Sequence, residues 1–302
     1  MKYISKVLLR YHRTTLHIKT TVLKWGQSKM GSPKGYMTSD EARKCYILSI
    51  LDEFSENLKD VRGKCMDVGC GPGDITKDFL LPSLGSNAQI IGTDISESLI
   101  KYANKTFNAE NRLYFEVLDI QTKNLPEKYI SEFNHIFSLH TLQWCNDIRQ
   151  AFKNIYQMLR PNGTILLYIV QYQDVFEVLR ILEQDIRFAQ YIPDTMKNIF
   201  PFYDSNNPRK DLKELLQSVG FTIHHCSLRE ASYSEEKSRQ FLNLIISLLT
   251  FLEDMPQDLV KEYKNTLTCE FLKRKINYKS IYNNQELTLD KYKMLLVYAQ
   301  KV

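Results

Sequence analysis

A chain of 302 residues, 43% hydrophobic and 25% charged, with 11 glycines and nine prolines, is long enough for one enlarged globular domain and too mixed for a disordered or fibrous one. Its longest apolar stretch, around Leu244–Leu249, falls far short of the roughly 20 residues a membrane span needs. The net charge of +5 resides in residues 1–39, where eight bases face no acid; the rest holds 32 bases against 35 acids, which excludes a nucleic-acid footprint across the domain.

In chain order, the basic leader (residues 1–39, Lys2 to Lys34) admits three readings: a mitochondrial transit segment, a flexible extension, or a stretch ahead of an internal start at Met30 or Met37. It has no apolar run with a small-residue cleavage site, so a cytoplasmic location is expected, with mitochondrial targeting as the alternative. Residues 40–302 are expected to form one domain. Within it, Glu41–Leu58 repeats apolar residues at helical spacing. Short apolar runs then alternate with helical segments. The runs are Cys65–Val68, Gln89–Asp94, Leu113–Leu118, His135–Leu139 and Thr164–Val170; the helices lie near Asp74–Leu81, Ser96–Phe107 and Ile148–Leu159. Ser96 reads as an N-cap, and Arg160-Pro161-Asn162-Gly163 as a turn into the next strand. Asn207-Pro208 and Gly220 bracket a further helix, followed by strands Phe221–Leu228 and Met294–Ala299. This rhythm predicts an α/β fold with a Rossmann-like, doubly wound, seven-stranded and mostly parallel sheet.

Two stretches interrupt the alternation, near 174–202 and 234–275, and are expected to be helical cap insertions. The second carries an apolar stripe (Phe241, Leu244, Ile245, Leu248, Leu249, Leu252) that reads either as plain core or as the lining of a greasy pocket. The six cysteines form no C-x-x-C pair and no Cys/His cluster, so reduced thiols and no metal site are expected.

Chemistry concentrates in Asp67-Val68-Gly69-Cys70-Gly71-Pro72-Gly73, between the first strand and its helix. Alternating glycines let a ligand approach the backbone closely. The spacing is G-x-G-x-G rather than the G-x-G-x-x-G of dinucleotide sites, and Asp67 beside the loop disfavours phosphate while favouring an ammonium and a sulfonium. Asp94 ends the second strand 21 residues after Gly73, where an acid can accept both ribose hydroxyls. Asp119 ends the third strand and can accept from an adenine amino group, with Ile95 and Ile120 on either side of the ring. Ser138 closes the fourth strand and completes the expected cofactor-binding set of Asp67, Gly69, Gly71, Gly73, Asp94, Ile95, Asp119, Ile120 and Ser138. The bland alternative is that these are ordinary strand-end turn residues.

The layout across 60–170, 209–228 and 294–299 resembles the class I S-adenosylmethionine-dependent methyltransferases. The run Phe133 to Trp144, then Ala151-Phe152-Lys153-Asn154-Ile155, Pro201-Phe202-Tyr203 and Pro208, resembles the insect juvenile hormone acid methyltransferases from about Glu41 onward. That resemblance implies S-adenosylmethionine as cofactor and methyl transfer to the carboxylate of farnesoic or juvenile hormone acids, a place in juvenile hormone biosynthesis. It makes Trp144 the carboxylate donor at the substrate mouth, with Gln143 and His140 beside it as the other catalytic candidates. Two positions depart from the family: its N-terminal glutamine falls at about Thr38, with Gln27 out of register, and its Thr-Leu-His-Trp run reads Thr141-Leu142-Gln143-Trp144.

A carboxylic acid is ionised at neutral pH, so methyl transfer to it needs no general base. His135 and His140 would be candidates for one if the acceptor were a hydroxyl; otherwise His135 reads as packing and His140 as pocket lining. Trp144 itself reads either as a pocket residue or as half-buried core. Two alternatives compete: methylation of another small acid such as a tricarboxylate, which would need clustered Arg or Lys, and a non-catalytic S-adenosylmethionine-binding interaction protein. Neither oligomeric state nor the identity of the acid follows from these residues.

Overall fold

The computed structural model describes residues 41–279 and 286–302, the side chains of 41–43, 233–238 and 286–288 excepted. The leader, with Gln27, Met30, Met37 and Thr38, lies outside the described residues.

Helix α1 spans Glu41–Glu53 and is followed by a short turn of helix, Ser55–Leu58. Strand β1 (Gly63–Val68) leads into the glycine loop and a helical segment from Asp74, which winds as a π-helix over Thr76–Leu80. Then follow β2 (Ala88–Asp94), α2 (Glu97–Thr106), β3 (Leu113–Val117), β4 (Phe133–Leu139), α3 (Ile148–Met158) and β5 (Leu159–Gln173). The predicted helix ends hold: the Ser96 hydroxyl accepts from Leu99 N, Pro208 opens its helix behind the Asn207 cap, and Gly220 closes it at φ 120°. The Arg160–Gly163 run does not form a separate turn. It is taken into the start of β5, with Asn162 at φ 64° and Leu159 already paired to Phe133.

After β5 come α4 (Asp174–Gln184), α5 (Pro208–Val219), β6 (Phe221–Ser234), α6 (Glu235–Leu248), α7 (Gln257–Lys273), β7 (Ile276–Lys279) and β8 (Glu286–Lys301). The sheet runs β3-β2-β1-β4-β5-β8-β6. Its first five strands are parallel, and β8 is antiparallel to both neighbours. The strand count is eight, not seven: β7 pairs with the first residues of β8, Ile276 opposite Leu289. The extra strand was hidden because β7 is exposed along its length, so it lacks the apolar run that marks a buried strand.

Two apolar layers sandwich the sheet. One holds Ile47 and Ile50 of α1, Ile100 and Ala103 of α2, and the buried faces of α4, α6 and α7. The other holds Phe152 and Ile155 of α3 with Leu212 and Leu216 of α5. The 234–275 stripe is therefore core in part: Phe241, Leu244, Ile245 and Leu249 are all buried. Among the described residues no helix is long and apolar enough to cross a membrane.

Candidate functional site

The sheet order reverses between β1 and β4. The chain leaves β1 towards the face covered by α1 and α2, and leaves β4 towards the face covered by α3, so a crevice opens beyond the carboxyl ends of these two strands. Both motifs found in the sequence meet there. Gly69 N and Cys70 N donate to Thr93 O at 2.7 and 2.9 Å, pinning the loop to β2. Across the crevice, Thr141 Oγ1 donates to Gly69 O at 3.0 Å and Ser138 Oγ to Val68 O at 3.0 Å. Gly69 has φ 75°, and a Cβ there would lie 2.1 Å from the Thr141 side chain, so only glycine fits. At Gly73 a Cβ would meet the Phe115 ring at 2.6 Å.

Carboxylates ring this loop. Asp67 is 2% exposed and accepts from Thr76 Oγ1 at 2.6 Å. Asp94 accepts from Gly71 N at 3.0 Å on one carboxylate oxygen and from Ser96 N at 2.9 Å on the other. Asp119 accepts from Gln121 N at 2.9 Å beyond β3, and the neighbouring Leu118 N donates to Asp94 O. Burial raises the Cys70 thiol well above its usual pKa, and the negative charges of Asp67, Asp94 and Asp74 add to the rise. Asp74 was not singled out from sequence; Lys44 of α1 meets its carboxylate at 3.1 Å and ties α1 to the loop. The two isoleucines differ: Ile95 is 68% exposed at the tip of β2, whereas Ile120 is buried with Met66 and Leu118.

A second group forms beyond β4. His140 is buried at φ 76°, with its N–H donating to Tyr168 O. Its ring lies 5.4 Å from that of Tyr168 and 6.0 Å from that of Phe241. Gln143 Nε2 donates to His140 O at 2.9 Å and lies 3.2 Å from its Nδ1, an arrangement that puts the imidazole proton on Nε2. Trp144 is half-buried against Phe200 and Phe176, at 5.4 and 6.2 Å between ring centres, and those two phenylalanines stack on each other. Phe200 N donates to Gln143 O, so the 189–200 segment is fastened to the strand end that carries Trp144. Neither phenylalanine was legible as a site residue, because both sit in stretches with no motif. His135 stands apart, inside the sheet, with Nδ1 2.6 Å from Thr164 Oγ1; burial lowers its pKa to about 4.

Residues 66–165 match a protein family described as a methyltransferase domain. The chain is 31% identical over 271 residues to juvenile hormone acid O-methyltransferase of Drosophila melanogaster, covering 88% of this chain and 91% of that protein. It is 27% identical to the Bombyx mori protein of the same name, covering 88% and 96%. A malonyl-[acyl-carrier protein] O-methyltransferase of Bacillus anthracis shares 30% identity over 201 residues, 66% of this chain and 68% of that one.

The chain belongs to the juvenile hormone acid O-methyltransferase family. It is a methyltransferase that uses S-adenosylmethionine. The residues present fit that cofactor. A glycine turn with no room for side chains leaves backbone open to a close-lying ligand, and the acids around it suit a molecule that carries an ammonium and a sulfonium.

Proposed function

We propose that this chain methylates the carboxylate of a small lipophilic acid of the farnesoic or juvenile hormone acid type. The observation that carries the reading is the 31% identity along nearly the whole of a relative bearing that name, together with Trp144 in the aromatic cluster beyond β4. Asp67, Asp94 and Asp119, with the loop glycines, Ile95, Ile120 and Ser138, are assigned to the cofactor. S-adenosylmethionine supplies a methyl group already activated on a positively charged sulfur.

The protein's task is then alignment and exclusion of water rather than proton transfer, because a carboxylate is ionised at neutral pH. Trp144 has an indole N–H that bonds to none of the described residues and can donate to a carboxylate oxygen. Gln143 holds the His140 ring, and His140 lines the hollow without acting as a base. An apolar recess lies behind Phe200, lined by Leu179, Ile192, Leu249, Phe251 and Tyr263 among others. A hydrocarbon tail running past Trp144 and Phe200 suits that lining. Among the described residues that line it Arg180 is the one cation, and it is already paired with Asp204, a lining that does not suit a tricarboxylate. All six cysteines are free thiols, in keeping with a reducing compartment such as the cytoplasm.

The test is incubation with methyl-labelled S-adenosylmethionine and, separately, farnesoic acid, juvenile hormone acid and a tricarboxylate. Label is expected in the methyl ester of one or both terpenoid acids. Cofactor binding without transfer to any acid overturns the reading.

A further inference from the structure

We infer that Lys44, held beside the glycine loop by Asp74, is the cation that receives the carboxylate of the cofactor's amino-acid end. The inference concerns the cofactor alone and holds whichever acid is methylated. S-adenosylmethionine carries a carboxylate as well as its ammonium and sulfonium, and acids that favour the two cations repel that anion. Three acids border the loop: Asp67 two residues before Gly69, Asp94 bonded to Gly71 N, and Asp74 directly after Gly73. Without a positive group among them, the amino-acid end would be bound against its own negative charge. The structure brings such a group there. Lys44, in the first turn of α1, has its Nζ 3.1 Å from Asp74 Oδ2.

The pair is short of hydrogen bonds. Asp74 is 1% exposed, yet neither of its carboxylate oxygens has a hydrogen-bond partner among the described residues, so Lys44 meets it as a charge. The ammonium has three N–H groups and, among the described residues, no acceptor besides this carboxylate. A buried ion pair is stabilising only where further hydrogen bonds satisfy its remaining donors and acceptors, so a pair this bare points to a ligand of matching charge. A carboxylate can accept from the N–H groups that Lys44 leaves over. The placement of α1 suits this. Lys44 and Ile47 share one flank of the helix, and Ile47, 0% exposed, lies in the same apolar layer as Cys70 and Ile75 at the two ends of the loop. Tyr46 lies 5.5 Å from Tyr168, whose ring is 5.4 Å from that of His140. The first turn of α1 therefore runs from the loop towards the end of β4, along the margin of the crevice.

The test is isothermal titration calorimetry of the full-length protein with two ligands: S-adenosylmethionine, and decarboxylated S-adenosylmethionine, which keeps both cations and lacks only the carboxylate. Wild type should bind the first at least about tenfold more tightly. Lys44→Met should weaken S-adenosylmethionine about 10- to 100-fold, the range for a lost hydrogen bond between charged groups, and leave the decarboxylated ligand within about threefold. Lys44→Arg, which restores a cation, should bring back most of the preference. Lys44→Met also leaves Asp74 without its cation and should lower Tm, but the ratio of two affinities within one folded protein is unaffected by that loss. Should Lys44→Met not fold, the double variant Lys44→Met with Asp74→Asn removes both charges and carries the same expectation for the ratio. A role confined to pinning α1 predicts that both ligands weaken by the same factor. That result overturns the assignment, as does a variant that keeps the wild-type preference, or a wild type that binds the two ligands equally.

Discussion

His135 is the third residue of β4, and its Nδ1 lies 2.6 Å from Thr164 Oγ1 on the neighbouring strand. Burial lowers its pKa to about 4, so it is a weak base and unsuited to proton abstraction at neutral pH. The same shift links it to stability. The unfolded chain takes up the histidine proton below about pH 6.5, while the native state refuses it until about pH 4. Over that window the unfolded state binds more protons, so stability falls as pH falls, by about 2 to 3 kcal/mol in total. His135→Phe should remove this component. Urea midpoints compared between wild type and variant from pH 7 to 4 should show a gap that shifts in the variant's favour below pH 6.5. A gap that stays constant across the window contradicts the assignment.

At the level of elements, what sequence made legible was whatever is buried on both faces. β1 to β4 read as apolar runs because parallel strands here are covered by helices on each side. β6 and β8 run to Ser234 and Glu286, far beyond the Phe221–Leu228 and Met294–Ala299 cores, because their extensions mix polar and charged residues that carry no such mark. The candidate cofactor site was legible for a related reason: glycines and strand-end acids at fixed spacing are local chemistry. The acceptor side was only half legible. Trp144, Gln143 and His140 lie in one run, but Phe176 and Phe200, which pack on Trp144, come from segments whose meeting depends on tertiary packing.

A buried ion cluster joins these late elements, and pairings between distant segments of this kind leave no trace in sequence. Lys275, just past α7, has its Nζ 2.8 Å from Asp290 of β8 and 3.6 Å from Asp174 at the start of α4, with the Phe271 ring 3.3 Å away. Burial lowers the Lys275 pKa against the pull of both acids, and burial raises that of Asp174. Lys275→Met should therefore cost about 3 to 5 kcal/mol, because Asp290, 0% exposed, is left without its cation. The double variant Lys275→Met with Asp290→Leu should recover most of that in urea unfolding. If the double variant is as unstable as the single, the cluster is not acting as an ion pair.

Across the whole molecule, the crevice between β1 and β4 is held by bonds that reach up to 72 residues along the chain: Lys44 to Asp74, Gly71 to Asp94, Ser138 to Val68 and Thr141 to Gly69. A ligand that sits on the loop and on the tips of β2 and β3 is therefore in contact with the junction of α1 and both halves of the sheet. Binding to the native state alone adds stability by mass action, about 2.7 kcal/mol at a concentration 100 times Kd. For a domain of this size that is a rise in Tm of about 5 to 10 °C. Asp94→Ala removes the acceptor that binds Gly71 N and Ser96 N and that faces the ribose in the proposed pose, so affinity should fall 10- to 100-fold. At the same S-adenosylmethionine concentration, the variant's own shift on adding cofactor should then be well below the wild-type shift, read by differential scanning calorimetry. Equal shifts in the two proteins would mean that the strand-tip acids do not hold the cofactor, whatever else fills the crevice.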